Sequence, residues 1–137
     1  MELALNSLLD GLPFFLIHSG TTLLMLIMGM FIYTRITNHD EISLIKEGNI
    51  AAALSFSGAT IGLALPLAFS LAASVSLWDI VFWGIIALIL QLVAFRIVDM
   101  FVKDLSKRIE AGELGASICL ISVKLSTAFI NSAAISG

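Results

Sequence analysis

Two stretches of this sequence run without a charged side chain for longer than a bilayer is thick. Residues 11–34 contain 24 positions with no Asp, Glu, Lys or Arg, and residues 48–78 contain 31. A helix needs about 20 apolar residues to cross the hydrocarbon layer. Inside lipid the backbone must satisfy its own hydrogen bonds, so such a run is expected as a helix. Composition agrees: charged residues are 12% of the 137, about half the quarter usual in soluble domains, and the mean hydropathy is +1.06.

Two further spans are less clean. Residues 80–95 form a run of 16, which Arg96 extends to about residue 98 if it snorkels. Residues 114–136 are long enough but contain Lys124. The expected fold is all-α: a single membrane domain over 1–137 with transmembrane helices at about 12–34, 50–73, 79–99 and 114–136. The first span does not read as a cleavable signal peptide, because no basic residue precedes it and its apolar region is too long.

Basic residues orient the spans. Six of the seven lie in or beside two segments: Arg35 and Lys46 between spans one and two, and Arg96, Lys103, Lys107 and Arg108 between three and four. The positive-inside rule puts both segments in the cytoplasm and both termini outside. The single cysteine, Cys119, falls within span four and has no partner for an intramolecular disulfide. Short loops of mixed sign give no support to nucleic-acid binding.

Shifting the chain by 64 residues aligns 17–73 with 81–137 without a gap, matching Gly48 with Gly112 and Asp40 with Asp104. Ala51, Ser55, Gly58 and Gly62 then correspond to Gly115, Cys119, Ser122 and Ser126, each set running along one side of a helix. Small residues let membrane helices approach closely, so both sets are expected to be packing faces. The pattern reads as two helix pairs inserted the same way up, related by an axis along the membrane normal. Residues 40–47 and 104–111 read as short cytoplasmic helices, which Gly48 and Gly112 stop in a left-handed conformation. Asp99/Lys103 and Asp104/Arg108 are spaced as i,i+4 pairs.

The string Lys46-Glu47-Gly48-Asn49-Ile50-Ala51-Ala52-Ala53, then Ser55-Phe56-Ser57-Gly58 and Gly62, resembles the YjfL-like family (domain of unknown function 350) of bacterial inner-membrane proteins. The ending Phe129-Ile130-Asn131-Ser132-Ala133-Ala134 is similar to that family's terminal Asn-Ala-Ala. The resemblance spans nearly the whole chain and implies inner-membrane residence, four spans and an association of some relatives with envelope stress. It implies no activity, substrate or catalytic residue. Lys124 and Ser132 depart from the family pattern.

Lys124 is the residue lipid tolerates least. It lies about 15 Å into span four at 1.5 Å per residue, where a lysine costs about 2.5–3.5 kcal/mol to insert. Ser117, Lys124 and Asn131 form a heptad-spaced polar line opposite the small residues of that span. Depth counting puts Thr60, Gln91 and Lys124 in one layer and His18 with Asn131 in a second, while Asp79 and Asp99 fall near span ends, leaving Lys124 without an acidic residue at its level. A hydrated path, an anion site and a structural network all remain open for it. His18 reads either as a proton relay or as a packing residue. His39 with Asp40 and Glu41 reads as a solvated turn. Pro66 is expected to bend span two, and Trp78, Trp83 and Tyr33 fit interfacial belts. No Cys/His pair, paired mid-membrane carboxylates, phosphate loop or metal spacing is visible. The expected function is therefore non-catalytic and cofactor-free: an oligomeric or scaffold component of a membrane complex, with the bilayer and further copies or membrane subunits as partners. The alternative is a small oligomeric channel with Lys124 near the path.

Overall fold

The computed structural model describes residues 1–37 and 40–137, apart from the side chains of Lys103 and Ser136; His39 lies outside the described residues. The described chain is all-helical: α1 (Glu2–Ile36), α2 (Glu41–Lys46), α3 (Ile50–Ala73), α4 (Leu77–Phe101), α5 (Lys103–Glu110) and α6 (Leu114–Ser136). Helices α1, α3, α4 and α6 are long and apolar enough to cross a membrane. Three of them match the expected spans to within two residues at either end. The first starts ten residues earlier than expected, because nothing before Pro13 breaks a helix and Pro13 itself sits inside α1. At 1.5 Å per residue its 35 residues reach about 50 Å, so α1 outruns the hydrocarbon layer.

Local chemistry marks the helix ends. The Asp40 side chain accepts from the Ser43 N–H at 3.0 Å, and that of Asn49 accepts from Ala52 N–H at 3.0 Å. At the other end of each short helix, Gly48 (φ 87°) and Gly112 (φ 84°) are left-handed, as expected. The N–H of Gly48 reaches the Ile45 carbonyl and that of Asn49 the Leu44 carbonyl. Gly112 and Glu113 repeat the arrangement on Ile109 and Arg108. These bonds occupy carbonyls that would otherwise be orphaned where the helix stops. Asn49 also donates to the carbonyls of Ile109 and Glu110 at 3.1 and 3.0 Å, tying the two loops together.

Helix α3 is the central span. It packs most extensively on α6, and also on α1 and α4. One core joins α1, α3 and α4 through Met25, Tyr33, Leu63, Leu67, Leu88 and Phe95. A second, at the loop end, joins α3, α5 and α6 through Ala51, Ala52, Ile109, Ala116 and Leu120. The large apolar side chains left exposed, among them Phe14, Ile27, Phe31, Phe82, Ile89 and Phe129, face outward on the four long helices, where lipid would cover them.

The two small-residue stripes have different fates. Ala51, Ser55, Gly58 and Gly62 are all buried along α3. A Cβ on Gly58 would lie 2.6 Å from Ile121 Cγ1, and one on Gly62 would lie 2.7 Å from Phe95 Cζ. Glycine is required at both because a neighbouring side chain already fills the space. On α6, however, Gly115, Cys119, Ser122 and Ser126 are exposed. This expected packing face is therefore not buried within the chain. The face α6 turns inward carries Ala116, Ser117, Leu120, Lys124, Ala128 and Ser132 instead. Burial follows Lys124 because an unpaired ammonium costs more in lipid than serines whose hydroxyls bond back to their own helix, as Ser122 and Ser126 do.

Candidate functional site: a buried ion pair joined to a loop helix

The side chains of α6 lean toward its N-terminus, as in any α-helix. The long Lys124 stem therefore carries its amine several ångströms back toward the loop end of the bundle. There Nζ meets Asp99 Oδ1 at 3.1 Å. Asp99 sits two residues before the end of α4, on the buried face that also holds Leu88, Gln91, Leu92 and Phe95. Lys124 is 1% exposed and Asp99 8%. The expectation that Lys124 lacks an acidic neighbour is thus corrected. The Cα atoms of the two residues lie at different depths, but the lysine stem leans toward the α6 N-terminus and carries the ammonium to Asp99.

The pair continues into a hydrogen-bonded chain. Lys124 Nζ donates to the Tyr33 hydroxyl at 3.3 Å, and that hydroxyl donates to Glu41 Oε1 at 3.0 Å. Ser55 Oγ donates to the same carboxylate oxygen at 2.8 Å. The ammonium also lies 5.0 and 5.1 Å from the ring centroids of Tyr33 and Phe95. Those rings meet edge to face at 5.9 Å, so their π faces add to the attraction for the cation. Tyr33, expected in an interfacial belt, is instead fully buried near the loop end of α1, with its ring turned into the bundle. Glu41, expected on a solvated loop, is 2% exposed. As the first residue of α2 it brings that short helix onto α1 and α3, so α2 is latched to the spans through charge-assisted bonds.

One turn further along α6, Gln91 donates to the Lys124 carbonyl at 3.4 Å and accepts from Asn131 Nδ2 at 2.7 Å. Thr127 lies beside it, 3.5 Å from Gln91 Nε2. Ser117, on the same heptad line, donates to the Ala51 carbonyl at 2.7 Å. The structure therefore brings together Lys124, Gln91 and Asn131 from the expected polar residues. It leaves out two. Thr60 is half-buried and bonds back to the Phe56 carbonyl of its own helix. His18 is half-buried on α1 with its ring edge-on to Phe14, and Asn131 bonds to Gln91 instead. Asp99, Tyr33, Glu41, Phe95 and Thr127 escaped the sequence reading. The reach of a lysine stem toward its helix N-terminus was the available signal for Asp99. Nothing in the spacing pointed to Glu41.

The loop charges also pair differently from their spacing. Asp99 pairs with Lys124, and the expected Asp99/Lys103 pair involves a side chain outside the described residues, while Arg108 binds Glu113 through two nitrogens and not Asp104. This exposed pair lowers the Glu113 carboxyl from its ordinary range, chiefly through the Arg108 hydrogen bonds, and raises Arg108 for the same reason. Among the described residues no group of three or more His, Cys, Asp or Glu could hold a metal ion.

The family model for the Domain of Unknown Function DUF350 matches residues 7–135. The chain belongs to the DUF350 family. It is 36% identical over 126 residues to the UPF0719 inner membrane protein YjfL of Escherichia coli K12, covering 92% of this chain and 96% of the relative. The YjfL of Escherichia coli O157:H7 matches to the same extent. No solved structure matches the chain significantly. With four membrane-spanning helices and these relatives, this DUF350 chain is a multi-pass inner-membrane protein.

Proposed function

We propose that the protein is a non-catalytic component of an oligomeric inner-membrane assembly, in which α6 makes the contact between subunits. The observation that carries this reading is the exposure of Gly115, Cys119, Ser122 and Ser126 along α6. The corresponding stripe on α3 is fully occupied within the chain, and a second small-residue stripe left on the outside suits another helix better than lipid. Cys119, the only cysteine, lies on the stripe and reports on it directly. Mild oxidation in native membranes is expected to yield a disulfide-linked dimer, or one through Ser122→Cys in a Cys119→Ser background. Monomer alone from both positions would remove the interface.

The permeation alternative asks Lys124 to face a path. Its ammonium is enclosed and paired with Asp99, which supports a structural role. Ion flux through proteoliposomes that changes on Lys124→Met would reverse this preference.

Two finer features belong to the same reading. The chain is a tandem duplication of parallel units, 17–73 and 81–137, supported by the repeated order of long, short and long helix and by left-handed glycines at 48 and 112. Both termini lie outside and both basic loops in the cytoplasm, supported by the distribution of Lys and Arg. In a Cys119→Ser background, a cysteine at Ser106 is expected to be shielded from impermeant thiol reagents in intact cells, while one at Ser76 is labelled. Labelling of Ser106→Cys from outside would invert the topology.

A further inference from the structure

At the end of the bundle away from the basic loops, a cleft of about 290 Å³ is lined by Ser70, Ala73, Ser74, Asp79, Trp83 and Ile135. Its polar groups come from consecutive turns of two helices: Ser70 and Ser74 on α3, and Asp79 and Trp83 on α4. Ser70 is 1% exposed, and its hydroxyl has no hydrogen-bond partner. A serine within a helix commonly returns its proton to the carbonyl four residues back, as Ser74 does to Ser70 at 2.6 Å. Ser70 does not, so a buried hydroxyl that wants a partner lines the cleft.

Asp79 is the only charged group there. Its Oδ2 accepts from Ser76 at 2.9 Å, in the turn that caps α4. Among the described residues no Lys or Arg lines the cleft: six of the seven lie in or beside the basic loops, and Lys124 is held by Asp99. An anion would be repelled by this carboxylate. A quaternary ammonium has no proton to offer Ser70. A primary ammonium has three N–H donors and no acceptor, which suits a carboxylate and two serine oxygens, while the Trp83 ring walls the adjoining methylene groups and can attract the charge through its face.

We propose that this cleft binds a primary ammonium group, carried by an ethanolamine lipid headgroup or by a free amine. The full-length protein is placed in nanodiscs of phosphatidylglycerol mixed with either phosphatidylethanolamine or phosphatidylcholine, and retained lipid is counted by native mass spectrometry after partial delipidation. Separately, ethanolamine is titrated against Trp83 emission in a Trp78→Phe chain held in phosphatidylglycerol alone. A lipid source predicts about tenfold preferential retention of phosphatidylethanolamine over phosphatidylcholine, the scale of one charge-assisted hydrogen bond. A free-amine source predicts a saturable emission change in the second arm. Either response should vanish in Asp79→Asn, return in Asp79→Glu and weaken in Ser70→Ala, with unchanged melting temperatures showing that the variants are folded. Equal retention of both lipids together with no response to ethanolamine would overturn the proposal. So would a response that Asp79→Asn and Ser70→Ala both leave intact.

Discussion

Lys124→Met is expected to destabilise the folded protein by about 3–5 kcal/mol, the usual consequence of removing one partner from a buried ion pair. Methionine keeps the length and the apolar stem, so packing is nearly conserved and the loss comes from the groups left behind. Asp99 would lose its counter-ion, and the Tyr33 hydroxyl would lose the donor that fixes its orientation toward Glu41. The double change Asp99→Leu/Lys124→Met removes both charges and is expected to recover most of the loss, since an apolar pair of similar volume commonly replaces a buried ion pair without penalty. Unfolding in mixed micelles, analysed as a double-mutant cycle, measures the coupling. A coupling energy below about 0.5 kcal/mol would mean that the two residues do not depend on each other. The variants also report on the loop: once Lys124 no longer orients the Tyr33 hydroxyl toward Glu41, α2 should become more accessible to protease at loop residues. Unchanged cleavage in the destabilised single variant would uncouple α2 from the ion pair.

The second large effect is steric. Gly58→Leu and Gly62→Leu are each expected to cost about 3 kcal/mol or to prevent folding, because even one added carbon would meet Ile121 or Phe95 within 2.6–2.7 Å. Overpacking of a filled core costs about 1–3 kcal/mol, and pushing the central helix from its neighbours forfeits contacts that lipid does not restore. Gly20 and Gly115 are the controls, since an added Cβ at either meets nothing within 4 Å. Gly20→Leu should behave as the parent in both stability and assembly. Gly115→Leu should leave the melting temperature of the monomer unchanged while reducing assembly, because it lies on the exposed stripe of α6. Equal stability of all four variants would show that α3 does not pack as described. A Gly115→Leu protein that assembles normally would place the subunit contact elsewhere.

Much of the fold was legible because its signals are local. Uncharged runs of sufficient length marked α3 and most of α1, and the basic segments between spans marked the short helices. Gly48 and Gly112 marked their ends, since a left-handed turn after a helix favours glycine whatever surrounds it. The site was legible only in part. The heptad line of Ser117, Lys124 and Asn131 identifies the polar face of α6, and depth puts Gln91 level with Lys124, but its bond to Asn131 crosses between two expected layers. Thr60 and His18 were grouped with these residues by depth alone, and depth does not say which way a side chain points.

The amino-acid sequence by itself determined a membrane chain of four long helices and two short ones, with their stops and with the two stripes of small residues. Those properties depend on hydropathy, helical period and backbone conformation, each of which acts within a few turns of one helix. Only the tertiary structure decided that Lys124 pairs with Asp99, that Tyr33 and Glu41 extend the pair into the loop, and that α3 buries its stripe while α6 exposes the matching one. Those outcomes depend on the axial stagger and rotation of helices against one another. A period of 3.6 residues defines a face but not what it meets, and a long lysine stem moves its charge along the axis toward its helix N-terminus.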